Sequence, residues 1–125
     1  DNDGNIEAVK KKYKEYEEIP YIHICADETV DTGNLKLSDK SFNYNTLEPK
    51  ILKENGRELL NNIFGTTYQT DDEMHKYMHS HKTDCAIAIF ESVTQIKYPE
   101  YIMRAIKNEY INHCGSRSWK NDLYC

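Results

Sequence analysis

Residues 70–96 read TDDEMHKYMHSHKTDCAIAIFESVTQI and contain the two segments on which the fold of this chain depends. Thr70 and Glu73 have the spacing of a capping box, in which each side chain accepts a hydrogen bond from an N–H at the start of a helix. This pattern predicts a helix that continues to about Ser80. Thr83 starts a second predicted helix, which contains the most apolar part of the chain. We therefore expect the second helix to lie at the centre of the fold.

One more helix is predicted on the C-terminal side of this stretch. Pro99 disfavours helical backbone at Tyr98, so the helical pattern is interrupted there. Apolar residues return at helical spacing after the proline. We expect a last helix from Pro99 to Cys114, with Gly115 at its end.

The first 45 residues are less regular. Residues 4–19 carry an apolar stripe at helical spacing and predict an amphipathic helix. Residues 20–31 begin with a proline, which the first turn of a helix tolerates, and predict a second helix through Cys25. Residues 34–45 have no sustained period, so we expect a long loop with a short extended piece.

A helix over residues 47–64 is expected between this loop and residues 70–96. Thr46 is its candidate N-cap, and Gly65 is its candidate end. Gly56 lies inside the predicted helix, where glycine costs about 1 kcal/mol relative to alanine. This glycine indicates a break in the helix or a close helix crossing.

Together these patterns predict an all-α fold, a compact disulfide-bridged bundle of about five to six helices. At 125 residues the chain is long enough for one hydrophobic core and too short for two. Residues 1–125 are therefore expected to form a single helical domain.

The four cysteines indicate the compartment. They are Cys25, Cys85, Cys114 and Cys125, an even number in a chain that starts at Asp1 and has cysteine as its last residue. This usage is typical of a processed, secreted domain, so we expect an extracellular protein with two disulfides. Pairing of Cys85 with Cys114, and of Cys25 with Cys125, is the arrangement that a helical hairpin at Tyr98–Pro99 would favour, but the sequence leaves the pairing open.

Composition argues against several functions. A net charge of -5 is unfavourable for a whole-surface binder of nucleic acid or of anionic membranes. No apolar run approaches the roughly 20 residues that cross a bilayer. The sequence also contains no nucleophile elbow, phosphate-binding loop, EF-hand loop or dinucleotide fingerprint. We expect no enzymatic activity, no cofactor, no nucleic acid and no membrane partner.

His75 and His79 lie one helical turn apart and are the strongest candidates for a metal site. The sequence provides no third ligand at a defined spacing. We therefore expect a solvated polar helix face without a metal, and we expect alanine substitutions at both histidines to leave folding nearly intact.

Two functional classes fit these features. The first is a secreted, monomeric effector or inhibitor that binds a host protein through aromatic and charged side chains on a rigid scaffold. The second is a carrier that encloses a small hydrophobic or amine ligand between helices, although 38% hydrophobic residues is low for a large cavity. The candidate partner-binding residues are Lys10, Lys11, Lys14, Phe42, Tyr44 and Trp119.

In size, helical pattern, cysteine count and the C-terminal sequence CGSRSWKNDLYC, the chain resembles the anopheline salivary inhibitors anophensin and albicin. The resemblance implies a host-directed salivary protein that blocks a plasma cascade, either the alternative complement pathway or the contact system. It does not assign a role to any residue. The composition, rich in Asn, Lys and Tyr, also resembles that of plant-directed effectors of sap-feeding insects.

Overall fold

The computed structural model describes the backbone of residues 5–28, 35–37, 40–42, 44 and 46–114, and the side chains of these residues except 40–42 and 108–114. This part of the chain is mostly helical, which confirms the predicted all-α class. The elements are α1 (Ile6–Tyr13), a 3₁₀ helix (Lys14–Tyr16), β1 (Leu35–Leu37), β2 (Lys40–Phe42), α2 (Leu47–Asn55), α3 (Arg57–Phe64), α4 (Asp71–Ser80), α5 (Lys82–Glu91) and α6 (Glu100–Cys114).

Two helices end at glycines whose backbone has a positive φ angle. Gly56 has a φ of 79° and a ψ of 152°, a conformation available almost only to glycine, and it divides the predicted helix over 47–64 into α2 and α3. Gly65 has a φ of 65° and ends α3 in the left-handed region. The break at Gly56 and the end at Gly65 both confirm the sequence prediction.

The capping box at the start of α4 is also confirmed. The Glu73 N–H donates to Thr70 Oγ1 at 3.2 Å, and the Thr70 N–H donates to Glu73 Oε2 at 2.9 Å. Hydrogen bonds from the backbone N–H groups of Gln69 and Thr70 lower the pKa of the Glu73 carboxyl. The cap fixes where α4 begins and therefore which of its residues face the core.

The core forms where α2, α3, α4 and α5 meet. Its buried apolar residues are Leu35, Ile51, Leu52, Leu60, Met74, Met78, Cys85 and Ile96. Helix α4 contributes Met74, His75 and Met78 to the interior and packs against β1, α2, α3 and α5. The expectation that the apolar helix after Thr83 would be central is wrong, because α5 buries only Cys85 among its described residues.

The segment predicted as a long loop contains a short antiparallel hairpin. Leu35 of β1 pairs in register with Phe42 of β2. The Lys36 N–H donates to Asp72 Oδ1 of α4 at 2.8 Å, and the Leu35 side chain is buried in the core. The hairpin therefore covers one side of α4.

The predicted helix over residues 20–31 is wrong for the part that the structure describes, and residues 29–31 lie outside that part. Residues 22–28 have no regular secondary structure. The Arg104 guanidinium donates to the Ala26 carbonyl at 2.8 Å, and Asp27 forms an ion pair with Lys50 of α2. These tertiary contacts replace the hydrogen bonds of a helix, whose propensity is in any case weak for the β-branched Ile22 and Ile24.

Asn55 closes the turn between α5 and α6. Its Oδ1 accepts a hydrogen bond from the Lys97 N–H at 2.6 Å, and its Nδ2 donates to the Lys97 carbonyl at 2.9 Å. These bonds hold the turn in which Ile96 is buried in the core, and α5 ends before this turn, at Glu91. The predicted interruption before Pro99 is confirmed, since α6 begins at Glu100.

Within the part of the chain that the structure describes, no helix combines the length and the apolar character needed to cross a membrane.

Candidate functional site

Two large apolar side chains on the outer face of α5, and a third just beyond its C-terminal end, are exposed. Ile87 is 50% exposed, Phe90 is 88% exposed and Val93 is 100% exposed. Ile87 and Phe90 are one turn apart on the helix, and Val93 follows directly after its C-terminal cap. We name these three residues the α5 patch.

Helix α5 is apolar on both of its faces. Its inner face places Cys85 in the core and Ile89 against it. Its outer face carries the α5 patch in place of the charged residues that a surface helix normally shows to water. A helix that is hydrophobic on all sides is usually buried. The exposed apolar face of α5 therefore marks a surface suited to binding another protein.

An open groove lies beside the α5 patch, between the C-terminal ends of α3 and α5. It is lined by Asn62, Ile63, Ala88, Glu91, Ser92, Val93 and Thr94. The turn that forms one end of the groove is held by Ser92, whose Oγ accepts from the Thr94 N–H at 3.0 Å. The groove and the patch share Val93, so they form one continuous surface with apolar and polar parts.

This surface was not predicted from the sequence, because the same residues were expected in the core. The signal was present in residues 85–93, where apolar side chains occupy both helical faces rather than one stripe. An isolated helix pattern cannot tell which of the two faces meets the rest of the protein.

The lysines predicted to bind a partner lie near the N-terminus. Lys11 and Lys14 line one open cleft with Lys12, Glu15 and Glu18. Lys10 is instead directed to Glu28, with 3.4 Å between Nζ and Oε2. The cleft therefore carries lysines and carboxylates side by side, which weakens it as a site for a polyanion.

Of the predicted aromatic binding residues, Tyr44 alone has a side chain that the structure describes. Tyr44 is half-buried against the core, and the Lys53 ammonium lies 4.9 Å from the centre of its ring. Phe42 belongs to β2, where the structure describes the backbone alone. Trp119 lies outside the described residues.

Among the four cysteines, Cys85 is buried in the core as a free thiol, so the structure does not show the predicted bridge at this residue. Burial raises the pKa of the Cys85 thiol to about 11, and the charges of Asp84 and Glu48 act in the same direction. The thiol is thus protonated at neutral pH and is a weak nucleophile. Cys25 is half-buried, Cys114 ends α6, and Cys125 lies outside the described residues.

The expectation of a solvated histidine face is wrong for one of the two histidines. His79 is exposed, but His75 is 1% exposed and lies inside the fold. Burial lowers the pKa of His75, and the positive charges of His79 and Lys82 lower it further against the opposing effect of Glu48 and Asp72.

The surroundings of His75 join three helices. Lys82 Nζ of α5 lies 2.8 Å from Glu48 Oε1 of α2. Burial alone would raise the pKa of the Glu48 carboxyl, but the hydrogen bond and charge of Lys82 lower it overall. In the described part of the chain, no three His, Cys, Asp or Glu side chains are arranged to hold a metal ion. This cluster therefore connects helices rather than forming a recognisable metal centre.

Comparison with known proteins gives no match, whether with family models, curated proteins or solved structures.

Proposed function

We propose that this chain is a non-catalytic binding protein that holds a partner protein on the α5 patch. The observation that carries the proposal is the nearly complete exposure of Phe90 and Val93 beside a groove. Covering a large apolar side chain yields about 1.5–3 kcal/mol, and aromatic anchors beside a pocket dominate many protein interfaces. The patch thus has the composition of an interface centre.

The class of partner in this proposal is a host protein. This choice of partner rests on the resemblance to the anopheline salivary inhibitors, which implies an extracellular inhibitor of the alternative complement pathway or of the contact system. Such an inhibitor acts by covering a surface of its target, so it needs an exposed binding face and no catalytic group.

The carrier alternative requires an enclosed pocket between helices. Two clefts lined by described residues, one beside α5 and one beside α1, are open grooves at the surface. They therefore give no support to a carrier.

Substitution of Phe90 by Ser tests the binding function. We expect the variant to fold, because the ring is exposed, and to lose about 2 kcal/mol or more of binding free energy with the partner. The measurement is capture from host plasma on immobilised protein, with mass-spectrometric identification and titration of the captured protein. Tyr21→Ser is the matched control, since Tyr21 is an aromatic residue that is 81% exposed on a different segment. Equal capture by wild type and Phe90→Ser would contradict the proposal.

Two disulfides among the four cysteines are part of the same proposal, since an extracellular setting favours oxidation and each bridge contributes about 2–4 kcal/mol. We expect alkylation of the unfolded secreted protein without reductant to modify no cysteine, and alkylation after reduction to modify all of them. Peptide mapping by mass spectrometry gives the result. Alkylation of Cys85 in the unreduced, unfolded protein would show that the buried free thiol of the structure is its native state and would remove this part of the proposal.

A further inference from the structure

The α5 patch is bordered by carboxylates. Asp84, Ala88 and Glu91 follow one another at helical spacing on the side of α5 that faces the groove, and Ala88 and Glu91 line it. Across the groove, Glu58 lies one turn before Asn62, which lines the opposite wall. Negative charge is therefore present along both walls of the groove beside the patch.

The described cations at the starts of α5 and α3 are directed to other carboxylates. Lys82, at the start of α5, lies 2.8 Å from Glu48, and Arg57, at the start of α3, lies 3.1 Å from Asp71. These ion pairs draw the positive charges of both helices away from the groove. With a net charge of -5 for the whole chain, the surface around the patch favours a positively charged partner.

We propose that the partner presents a cationic amphipathic helix to the α5 patch, a proposal that rests on the proposed binding function. Its apolar face would cover Ile87, Phe90 and Val93, and its Lys or Arg side chains would meet Asp84, Glu91 and Glu58. Recognition of an amphipathic helix by an apolar groove is a common binding mode, and complementary charges at the rim select the partner and speed its association. At 10 residues, α5 offers a length of about 15 Å, which matches a helix of about three turns.

Charge argues against a second copy of this chain as the occupant. A symmetric dimer places the same surface on both sides of the interface. The carboxylates that border one patch would then approach those of the other, and like charges across an interface are unfavourable.

Two designed helical peptides of equal length provide the probes. Both carry Leu at positions i, i+3, i+4 and i+7, and one carries Lys while the other carries Glu at the flanking positions. We expect fluorescence anisotropy at low salt to show that the Lys peptide binds wild type at least about 10-fold more tightly than the Glu peptide, and that added salt reduces this ratio. Equal affinity for the two peptides would overturn the inference.

Variants in which carboxylates are replaced by amides test which charges produce the preference for the Lys peptide. The triple variant Glu58→Gln, Asp84→Asn, Glu91→Gln is expected to lose most of that roughly 10-fold preference, since each rim charge contributes about 2- to 5-fold. The matched control is Glu7→Gln, Glu15→Gln, Glu17→Gln, which removes three exposed carboxylates at and after α1 and should keep the preference. Loss of the preference in the control, or its retention in the test variant, would overturn the inference.

Phe90→Ser separates this inference from the proposed function. Lys-peptide binding that persists in this variant would place the peptide elsewhere and overturn the inference. Loss of plasma-protein capture in Phe90→Ser, combined with equal affinity of wild type for both peptides, would sustain the binding function and overturn the cationic partner alone. A wild-type dimer in sedimentation that becomes monomeric in Phe90→Ser would assign the patch to a second copy and also overturn the inference.

Discussion

Replacing Lys50 with Met is expected to lower the free energy of unfolding by about 3–5 kcal/mol, because a buried carboxylate loses its ion pair with Lys50. Lys50 Nζ lies 3.3 Å from Asp27 Oδ2, and the two side chains are only 9% and 8% exposed. Met preserves the apolar stem of the lysine and removes its charge. The interior then contains a carboxylate whose desolvation is no longer offset by this ion pair.

Tyr101, which lies near this ion pair, is also in a buried environment with negative charge close by. Burial raises the pKa of the Tyr101 hydroxyl on α6, and the negative charge of Asp27 raises it further. Asp27 therefore lies close to α6 as well as to Lys50 of α2. The ion pair ties residues 22–28 to the helical unit, which explains why this irregular segment is held in place without a helix of its own.

Urea unfolding of three variants tests this expectation. The double variant Lys50→Met, Asp27→Leu should recover most of the lost stability, since replacing both charges with apolar groups removes the desolvation cost. Lys10→Met is the control, because the ion pair of Lys10 with Glu28 is 49% and 58% exposed and should contribute less than about 1 kcal/mol. A loss at Lys50 no larger than that at Lys10 would show that the buried pair does not anchor the segment.

The second large effect is expected at His75. His75→Ala should lower the free energy of unfolding by about 2–4 kcal/mol, since it removes a fully buried side chain from the interior of α4. His79→Ala is the matched control on the same helix and should change stability by no more than about 0.5 kcal/mol, because His79 is exposed. Thermal or urea unfolding at pH 7.5 gives both values. Equal effects of the two substitutions would contradict the burial of His75.

The pH dependence of stability provides a separate test of His75. Because its pKa in the folded state is lowered, the folded protein binds fewer protons than the unfolded chain at acidic pH. Stability should therefore be complete above the unfolded pKa of about 6.5 and should fall as the pH drops from there toward the folded pKa.

His75→Gln should flatten the stability curve in this window. The groups that face His75 are Glu48 of α2, Lys82 of α5, and Asp72 and His79 of α4. The lowered pKa of Glu48 affects stability as the pH falls through its unfolded value of about 4.5, which is about two pH units below that of His75. A slope that is unchanged in His75→Gln would assign the pH dependence to another group.

Much of the helical framework was predictable because its signals are local. The capping box of Thr70 and Glu73, the ends at Gly56 and Gly65, and the interruption at Pro99 each depend on backbone dihedral angles and on hydrogen bonds between near neighbours. A short stretch of sequence contains all the information that such features need.

For the candidate site, the sequence predicted which residues are apolar but not which of them are exposed. The apolar character of residues 85–93 is visible in the sequence, but the outward direction of Phe90 is not. The predicted binding residue Tyr44 packs against the core, and the histidine expected in solvent is buried. In each case the burial of a side chain depends on elements that are distant in sequence.

By itself, the sequence determined the helical class, most helix ends and the presence of an apolar helix after Thr83. The tertiary structure decided that α4 rather than α5 is central, that residues 22–28 are held by Lys50 and Arg104 rather than by a helix, and that the α5 patch faces outward. The physical reason is that helix caps and turns are settled by interactions over three or four residues. Burial, by contrast, is settled by which faces of distant elements pack together, and a helix that is apolar on both sides can be packed through either one.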